Sequence, residues 1–174
     1  FSSWRGVEAA DAHLRDVLKE LPITIITQKR GDAVGPLVER FAKDETSILL
    51  GTMSLWQGVD VPGNSCILVA IDRIPFPRPD EPVMAARSSQ ADAAGGSGFM
   101  QVSLPRAALL LAQGTGRLIR SVEDRGVVAI LDSRIVTKRY GSVLLNSMPP
   151  LWRTSDQSVV RDSLKRLSQG FSEN

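Results

Sequence analysis

The sequence predicts an α/β fold, in which helices flank a parallel β-sheet. Short apolar runs typical of strands alternate along the chain with longer segments whose apolar residues recur at helical spacing. This alternation is typical of parallel strands joined by crossover helices. The chain has 174 residues, of which 43% are hydrophobic and 23% charged, and such a composition fits one globular domain with its own core.

Four apolar runs predict the strands; the second and third are apolar enough to be covered on both faces, and the fourth is also expected to be buried. The predicted strands are Ile23–Thr27, Ser47–Thr52, Cys66–Ile71 and Gly126–Asp132. Amphipathic spacing predicts helices over Val7–Leu21, Val34–Lys43, Val83–Ala94, Arg106–Arg120, Thr137–Met148 and Ser155–Leu167. Pro22 ends the first helix, and a loop is predicted around the sequence GVDVPG.

The composition excludes several classes of protein. A single cysteine, Cys66, permits no internal disulfide and no four-cysteine zinc or iron–sulfur site within this chain, and the single His13 makes a His/Cys metal site equally unfavourable. The longest apolar runs, such as Ala107 to Ala112, are far shorter than the roughly 20 residues of a membrane span. We therefore expect a soluble, cytoplasmic protein with no resident metal in this chain and no membrane partner.

Charge gives only weak information on partners, because 21 basic residues face 19 acidic ones. Between Arg134 and Arg166, however, seven basic side chains stand against two acidic ones. This cluster is either a solvated face or a surface for nucleic acid.

Ligands of open parallel sheets bind at the carboxyl ends of the strands. The loops that leave Thr52, Asp72 and Asp132 are therefore the first candidates for a functional site.

The segment from Ala112 to Gly126 carries one candidate site. If its first part is helical, Gln113, Arg117 and Arg120 occupy positions i, i+4 and i+7 and share one stripe. Two arginines one turn apart repel each other unless an anion lies between them. The alternative is a surface helix whose arginines pair with the acidic residues at 123 and 124.

Two glycines, Gly114 and Gly116, interrupt the same predicted helix. Each costs on the order of 0.8 to 1 kcal/mol relative to alanine, so we expect another backbone or a ligand to approach closely there.

The segment from Gly51 to Gly63 follows a predicted strand and carries a second candidate site. Its glycines expose backbone N–H groups, Thr52 and Ser54 add hydroxyls, and Asp60 adds a carboxylate. These groups suit a phosphate or a ribose. In the alternative, Asp60 caps a turn and Trp56 covers the core.

Together these two segments resemble the fifth and sixth motifs of superfamily 2 helicases, and most closely the DinG-like branch related to XPD. The sixth motif (Gln, two residues, Gly-Arg, two residues, Arg) is matched by Gln113, Gly116, Arg117 and Arg120, and its continuation by Asp124, Gly126, Asp132 and Arg134. The fifth motif is matched by Trp56, Gly58, Asp60, Pro62 and Gly63, with Gln57 where many relatives carry Glu, and the branch's Pro-Phe-x-x-Pro signature by Pro75, Phe76 and Pro79.

The resemblance implies a RecA-like second motor domain over residues 1–152, followed by a C-terminal helix or tail over 153–174. The chain contains neither a G-x-x-x-x-G-K-[ST] phosphate loop nor an Asp-Glu pair that ends a strand. FSSW at its start looks like the end of the fourth motif, whose strand would lie upstream of Phe1. We therefore expect a fragment that works with a first motor domain of the same polypeptide and is inactive in isolation.

The resemblance also implies roles for individual residues. Arg120 is expected to be the arginine finger on the γ-phosphate of ATP and Arg117 a second cation there. Fixed guanidinium donors stabilise the charge of a transferred phosphoryl group, an effect of roughly 10³ to 10⁵ in rate. Gln113 and Gly116 are expected to bind ATP; Gly58 and Asp60 are expected near the ribose; Thr52, Ser3 and Trp56 are expected at the DNA backbone.

The function implied is that of an ATP-dependent DNA helicase of repair or replication, which moves 5′ to 3′ on single-stranded DNA at the bacterial nucleoid. ATP and Mg²⁺ would be held mainly by the first motor domain, and any iron–sulfur cluster would lie in the parent protein outside this chain. The alternative is a non-catalytic nucleic-acid-binding module, or a domain that has kept the helicase fold without the motor.

Overall fold

The computed structural model describes residues 1–58, 66–78, 80–116 and 125–170. In these ranges helices alternate with short parallel strands, which confirms the predicted α/β class. The elements are α1 (Trp4–Val17), β1 (Thr24–Thr27), α2 (Val34–Lys43), β2 (Ser47–Leu50), α3 (Ser54–Gly58), β3 (Leu68–Ile71), α4 (Pro82–Ala93), a π-helical turn (Phe99–Ser103), α5 (Leu104–Gly116), β4 (Val127–Ile130), α6 (Arg134–Thr137), α7 (Gly141–Ser147) and α8 (Gln157–Gly170).

Most predicted elements are present, with ends that differ by a few residues. Helix α2 has the predicted ends, whereas α1 begins three residues earlier than predicted. It begins there because the hydroxyl of Ser3 accepts the N–H of Gly6 at 3.1 Å and caps the helix. Helix α5 is described as far as Gly116, so the predicted continuation to Arg120 lies outside the described residues.

Two predictions of local structure are wrong. The first part of the predicted loop after β2 forms the short helix α3, whose Leu55 is buried. The helix predicted over Thr137–Met148 begins only at Gly141, as α7, and a short helix that was not predicted, α6, precedes it and is joined to it by a tight turn. At Gly141 a Cβ atom would lie 2.8 Å from the carbonyl carbon of Ile135, so only glycine fits where the chain turns.

The strands form two parallel ladders in the described part of the chain. Strand β1 pairs with β2, and β3 pairs with β4. The first residues of the chain lie between them: the amino group of Phe1 donates to the carbonyl of Gly51 (2.7 Å), and the N–H and hydroxyl of Ser2 donate to the carboxylate of Asp72 (2.8 and 2.9 Å). The carboxyl ends of β2 and β3 therefore lie at one edge.

The expectation that β3 is covered on both faces is wrong. Leu68 is 42% exposed, and Ala70, on the same face of the strand, is also exposed.

Across the described ranges, no helix is long and apolar enough to cross a membrane.

Helix α5 carries the core of the second half of the chain. Its buried residues Leu104, Ala107 and Leu111 follow helical spacing and form one continuous face. They pack with Ile71, Ile74, Ile135 and Leu144 in a single buried cluster. Burial of a leucine side chain is worth about 1.5 to 3 kcal/mol, so this face fixes α5 firmly against β3 and α7.

The carboxylate of Asp132 joins the loop after β3 to the end of β4. Its Oδ2 atom accepts the N–H of Ile74 at 3.0 Å and the Nη2 group of Arg134 at 2.6 Å, while Oδ1 accepts Nε of Arg134 at 2.9 Å. We call these contacts of Ile74, Asp132 and Arg134 the Asp132 clamp. The Asp132 side chain is only 7% exposed, so its bonds lie largely out of water.

An aromatic cluster extends the Asp132 clamp. The guanidinium of Arg134 lies 5.5 Å from the centre of the Phe76 ring. The Phe76 ring packs edge-on against the Tyr140 ring, with 5.7 Å between the ring centres. It also packs against the tilted Phe99 ring, with 5.4 Å between the ring centres. Aromatic residues from the loop after β3, from the π-helical turn and from the start of α7 thus meet beside the ion pair of Asp132 and Arg134.

The Arg134 guanidinium holds the pKa of Asp132 well below its ordinary value of 3.8, at about 2, against the opposing effect of burial. The backbone N–H groups of Ile74 and Arg134 add to this effect. Because the pKa of the folded state is the lower one, the stability that it contributes is fully present above about pH 3.8. It is lost as the pH falls through about 2.

We predict that Asp132→Asn lowers the free energy of unfolding by roughly 1 to 3 kcal/mol at neutral pH, since Arg134 and the Ile74 N–H lose a charged acceptor. The deficit relative to the wild type should shrink as the pH falls below about 3.8. Urea unfolding of both proteins at a series of pH values measures the loss of unfolding free energy and its dependence on pH.

Asp80→Asn is the matched control, because Asp80 also pairs with an arginine two residues away, Arg78, but both side chains are mostly exposed (64% and 79%). We expect it to change the free energy of unfolding by no more than about 0.5 kcal/mol. Equal losses in the two variants, or a deficit of Asp132→Asn that does not depend on pH, would contradict the structural role of the clamp.

Candidate nucleotide and nucleic-acid interface

The structure describes six of the nine predicted site residues: Ser3, Thr52, Trp56, Gly58, Gln113 and Gly116. The other three, Asp60, Arg117 and Arg120, lie outside the described residues, as do the acidic residues at 123 and 124 of the alternative interpretation. Apart from Ser3, which caps α1, these residues lie in the turn and short helix after β2 and in the last described turn of α5.

A buried glutamine, Gln28, organises the turn after β2. Gln28 directly follows β1, and only 4% of it is exposed. Its Oε1 atom accepts the N–H of Thr52 at 2.9 Å, and its Nε2 group donates to the hydroxyl of Ser54 at 2.8 Å. The hydroxyl of Thr52 lies 3.3 Å from Oε1 of Gln28, and it lies 3.0 Å from the hydroxyl of Ser54. One amide therefore fixes both the backbone and the hydroxyls of this turn.

Gly51 is needed for this arrangement. A Cβ atom at Gly51 would lie 2.7 Å from Oε1 of Gln28, closer than real Cβ atoms approach. The backbone of β2 can therefore approach the amide only because position 51 has no side chain.

Gln28 was not among the predicted site residues, because the predicted site loops follow the other three strands. The signal was present: Gln28 is a polar residue directly after the β-branched run of β1, at the carboxyl end of a parallel strand.

Ser3 lies in the segment next to this turn. The bond from the Phe1 amino group to the Gly51 carbonyl joins the two segments. Ser3 itself is exposed, and its hydroxyl oxygen caps α1 through the N–H of Gly6. The structure thus brings the segments of Ser3 and Thr52 together, as their shared predicted role requires.

Basic side chains flank the same edge. Lys29 and Arg30 follow Gln28, both are exposed, and the guanidinium of Arg30 lies 5.6 Å from the Trp4 ring centre. A cavity of about 320 Å³ lies between them and α1. Two carboxylates also line this cavity, Glu8 and Asp11, and the pKa of Asp11 is lowered because Arg15 and Thr27 donate hydrogen bonds to it. Lys29 and Arg30 supply the positive charge at this edge that suits a phosphate backbone.

Trp56 connects this turn to α5. A Cβ atom at Gly114 would lie 3.0 Å from the Trp56 ring, and Trp56 packs against the buried core cluster. The close approach predicted at Gly114 is therefore made by an indole ring, and not by a backbone or a ligand. This placement agrees with the alternative in which Trp56 covers the core; its contact with DNA stays a prediction.

The last described turn of α5 divides into an inner and an outer face. Thr115 is fully buried, and its hydroxyl donates to the carbonyl of Leu111 at 2.8 Å. Gln113 is exposed, and a side chain at Gly116 would meet nothing within 4 Å. The close approach predicted at Gly116 is thus not made by the residues that the structure describes, and Gln113 is exposed, with its amide available to a ligand.

The other two loops singled out from the sequence have internal roles. The carboxylate of Asp72 accepts from Ser2, and that of Asp132 forms the Asp132 clamp. Within the described ranges no group of three or more His, Cys, Asp or Glu side chains could hold a metal ion.

Comparison with known proteins identifies the family. The family model described as "Helicase C-terminal domain" matches residues 1–151. The ATP-dependent helicase DinG of Mycobacterium tuberculosis (strain ATCC 25177 / H37Ra) is 53% identical over 169 residues, which are 97% of this chain and 25% of that protein. The chain is 40% identical to the ATP-dependent DNA helicase YoaA of Escherichia coli (strain K12), over 83% of this chain and 23% of that protein.

A third relative, the 3′-5′ exonuclease DinG of Bacillus subtilis (strain 168), is 43% identical over 76% of this chain and 14% of its own length. The chain thus spans about a quarter or less of these relatives. The family match and the alternation of helices with parallel strands support the predicted RecA-like fold. On this evidence the chain belongs to the helicase C-terminal domain family and is a DinG-like member of it.

Proposed function

We propose that this chain is the second motor domain of an ATP-dependent DNA helicase, in which ATP hydrolysis drives movement along single-stranded DNA. The observation that carries the proposal is the complete sixth motif of the sequence, which begins at Gln113 in the last described turn of α5, where Gln113 is exposed. The proposed division places the motor domain in residues 1–152 and a C-terminal helix or tail in 153–174.

The proposed ATP site lies between this chain and a first motor domain. Gln113 and Gly116 offer an amide and an open stretch of backbone at the edge of α5. Arg117 and Arg120 follow in the motif and supply the planar cations that suit a triphosphate, with Arg120 as the arginine finger. Gly58 and Asp60 lie toward the ribose in this proposal. ATP supplies the bond that is cleaved, and Mg²⁺ is assigned to the first motor domain.

The proposed DNA site is the turn after β2. The Thr52 hydroxyl and backbone, held by Gln28, provide fixed hydrogen-bonding groups for a phosphodiester, and Ser3 lies in the adjoining segment. Lys29 and Arg30 add positive charge at the same edge. These features support a contact with the backbone of the strand, which carries no sequence information.

The contact between Trp56 and Gly114 supports coupling of the two sites. It joins α3, which continues from the DNA turn, to the residue next to Gln113. Because the indole ring is packed against the core, a displacement of either element is transmitted to the other as a rigid movement. Closure of the two motor domains on ATP would then shift the bound strand.

The direction of movement is proposed as 5′ to 3′, and the process as DNA repair or replication in the cytoplasm at the nucleoid. Names of the mycobacterial and Escherichia coli relatives support ATP-dependent helicase activity. The alternative, a nucleic-acid-binding module without turnover, would bind DNA with a steep salt dependence that nucleotide does not alter.

We predict that Arg120→Ala in the full-length protein lowers the rate of ATP hydrolysis stimulated by single-stranded DNA roughly 10³-fold or more. The reason is that loss of an arginine finger removes charge stabilisation in the transition state. Binding of single-stranded DNA should change little. Steady-state hydrolysis and fluorescence anisotropy measure the two effects.

Arg106→Ala is the control, because Arg106 is an exposed arginine near the start of α5 and lies outside the sixth motif. We expect wild-type turnover from it. Wild-type turnover from Arg120→Ala would refute the assignment of the finger.

We also predict that Gln28→Leu in the full-length protein weakens binding of single-stranded DNA on the order of fivefold, which corresponds to the loss of one or two hydrogen bonds. The Thr52 amide loses its acceptor, so its hydrogen exchange should become faster. Gln90→Leu, a change of an exposed glutamine on α4, should alter neither property. If the Thr52 amide exchanges faster while DNA affinity is unchanged, the turn is not the DNA site.

The isolated chain is predicted not to hydrolyse ATP, because the proposed site needs phosphate-binding groups from a first motor domain. A preparation freed of contaminating ATPases by two independent purification routes tests this. Turnover that persists in both preparations and disappears in Arg120→Ala would contradict the two-domain site.

A further inference from the structure

A long groove lies between β4 and α8, far along the chain from the proposed DNA turn. Its volume is about 1640 Å³. One wall is the continuous run from Arg125 to Ser133, and the opposite wall is α8, through Val160, Ser163 and Leu167.

The groove follows the free edge of β4. Consecutive residues of a strand point to opposite faces, so a groove that touches every residue of the run lies along an edge and not on one face. The N–H groups of Val127 and Leu131 donate to Ile67 and Ile71, next to or in β3. In a parallel ladder the backbone groups of Val128 and Ile130 therefore point the other way, into the groove. Among the described strands, β4 has β3 as its single neighbour.

The charge that lines this groove is strongly one-sided. Among the described residues, four arginines line it, Arg125, Arg153, Arg161 and Arg166, against one carboxylate, Asp132, which the Asp132 clamp already neutralises. In the described part of the chain, Arg153, Arg161 and Arg166 form no ion pair with a carboxylate. Three of the seven residues of the basic cluster noticed in the sequence, Arg153, Arg161 and Arg166, thus line one groove.

Apolar side chains make up much of the rest of the groove. Leu131, Val136 and Trp152 all line it and are 69%, 73% and 76% exposed. Together with Val128 and Ile130 they form an apolar surface beside the arginines, as at protein interaction sites with a polar rim.

We propose that this groove binds an extended segment of a partner protein in which acidic residues alternate with aliphatic ones. The segment would add a strand to the free edge of β4, with its backbone bonded to Val128 and Ile130. Its aliphatic side chains would contact the apolar surface, and its carboxylates would pair with Arg161, Arg166 and Arg153.

The groove favours a polypeptide over a nucleic acid. An unpaired strand edge offers alternating N–H and carbonyl groups, which a peptide backbone satisfies and a phosphodiester chain does not. Single strands of nucleic acid are held by successive aromatic side chains, whereas among the described residues that line the groove only Trp152 is aromatic.

A labelled twelve-residue peptide of alternating Glu and Val, added to the full-length protein with saturating unlabelled oligothymidylate, tests the proposal by fluorescence anisotropy. We expect a dissociation constant in the micromolar range, and no binding of the corresponding Lys and Val peptide up to about 1 mM. Arg161→Glu should weaken binding at least about fivefold, whereas Lys165→Glu, the same charge change on the same helix outside the groove, should alter it less than about twofold.

Hydrogen exchange gives a second readout that charge attraction alone would not move. The bound peptide should slow exchange of the Val128 and Ile130 amides. No binding of the acidic peptide, displacement of it by oligothymidylate, equal effects of the two substitutions, or unchanged exchange at Val128 and Ile130 would each overturn the proposal. ATP hydrolysis stimulated by DNA should be retained in Arg161→Glu, so that failure of this proposal is distinguishable from failure of the proposed motor function.

Discussion

The carboxylate of Asp132 is the contact on which the second half of the structure depends. It holds the N–H of Ile74 and the guanidinium of Arg134, and through these it ties the loop after β3 to the end of β4. Phe76 then stacks on Arg134 and joins the aromatic cluster. The proline signature and the Asp-x-Arg signature of the DinG-like resemblance are therefore two sides of one contact. Their role in this chain is to hold α5 and the sheet in a fixed relation.

A second buried polar group performs the same task at the other half of the chain. The Gln28 amide fixes the Thr52 turn, and Trp56 carries that turn onto Gly114 of α5. The Asp132 carboxylate and the Gln28 amide both have their hydrogen bonds satisfied inside the fold. Removal of either side chain therefore leaves its buried hydrogen-bonding partners unpaired. The contact of Trp56 with Gly114 thus joins the proposed DNA turn to the helix that carries the proposed ATP site.

Sequence analysis predicted the fold class and most elements, because helical and strand periodicity are local properties. The motifs are contiguous, so the sequence also identified the two candidate site segments, whose residue roles stay predictions. It missed Gln28, the break between α6 and α7 and the indole ring at Gly114, because each depends on contacts between residues more than 20 positions apart or on a close backbone approach. The basic cluster was visible in the sequence, but only the fold shows that four arginines line one groove beside a free strand edge.

The central claim is that the end of α5 faces a nucleotide shared with a first motor domain. Hydrogen exchange of the full-length protein, with and without ADP and aluminium fluoride as a mimic of the transferring phosphate, tests it directly in the presence of single-stranded DNA. The account predicts slower exchange in the segment from residue 113 to 120 when the mimic is bound. Unchanged exchange there, while segments outside this chain become protected, would contradict it.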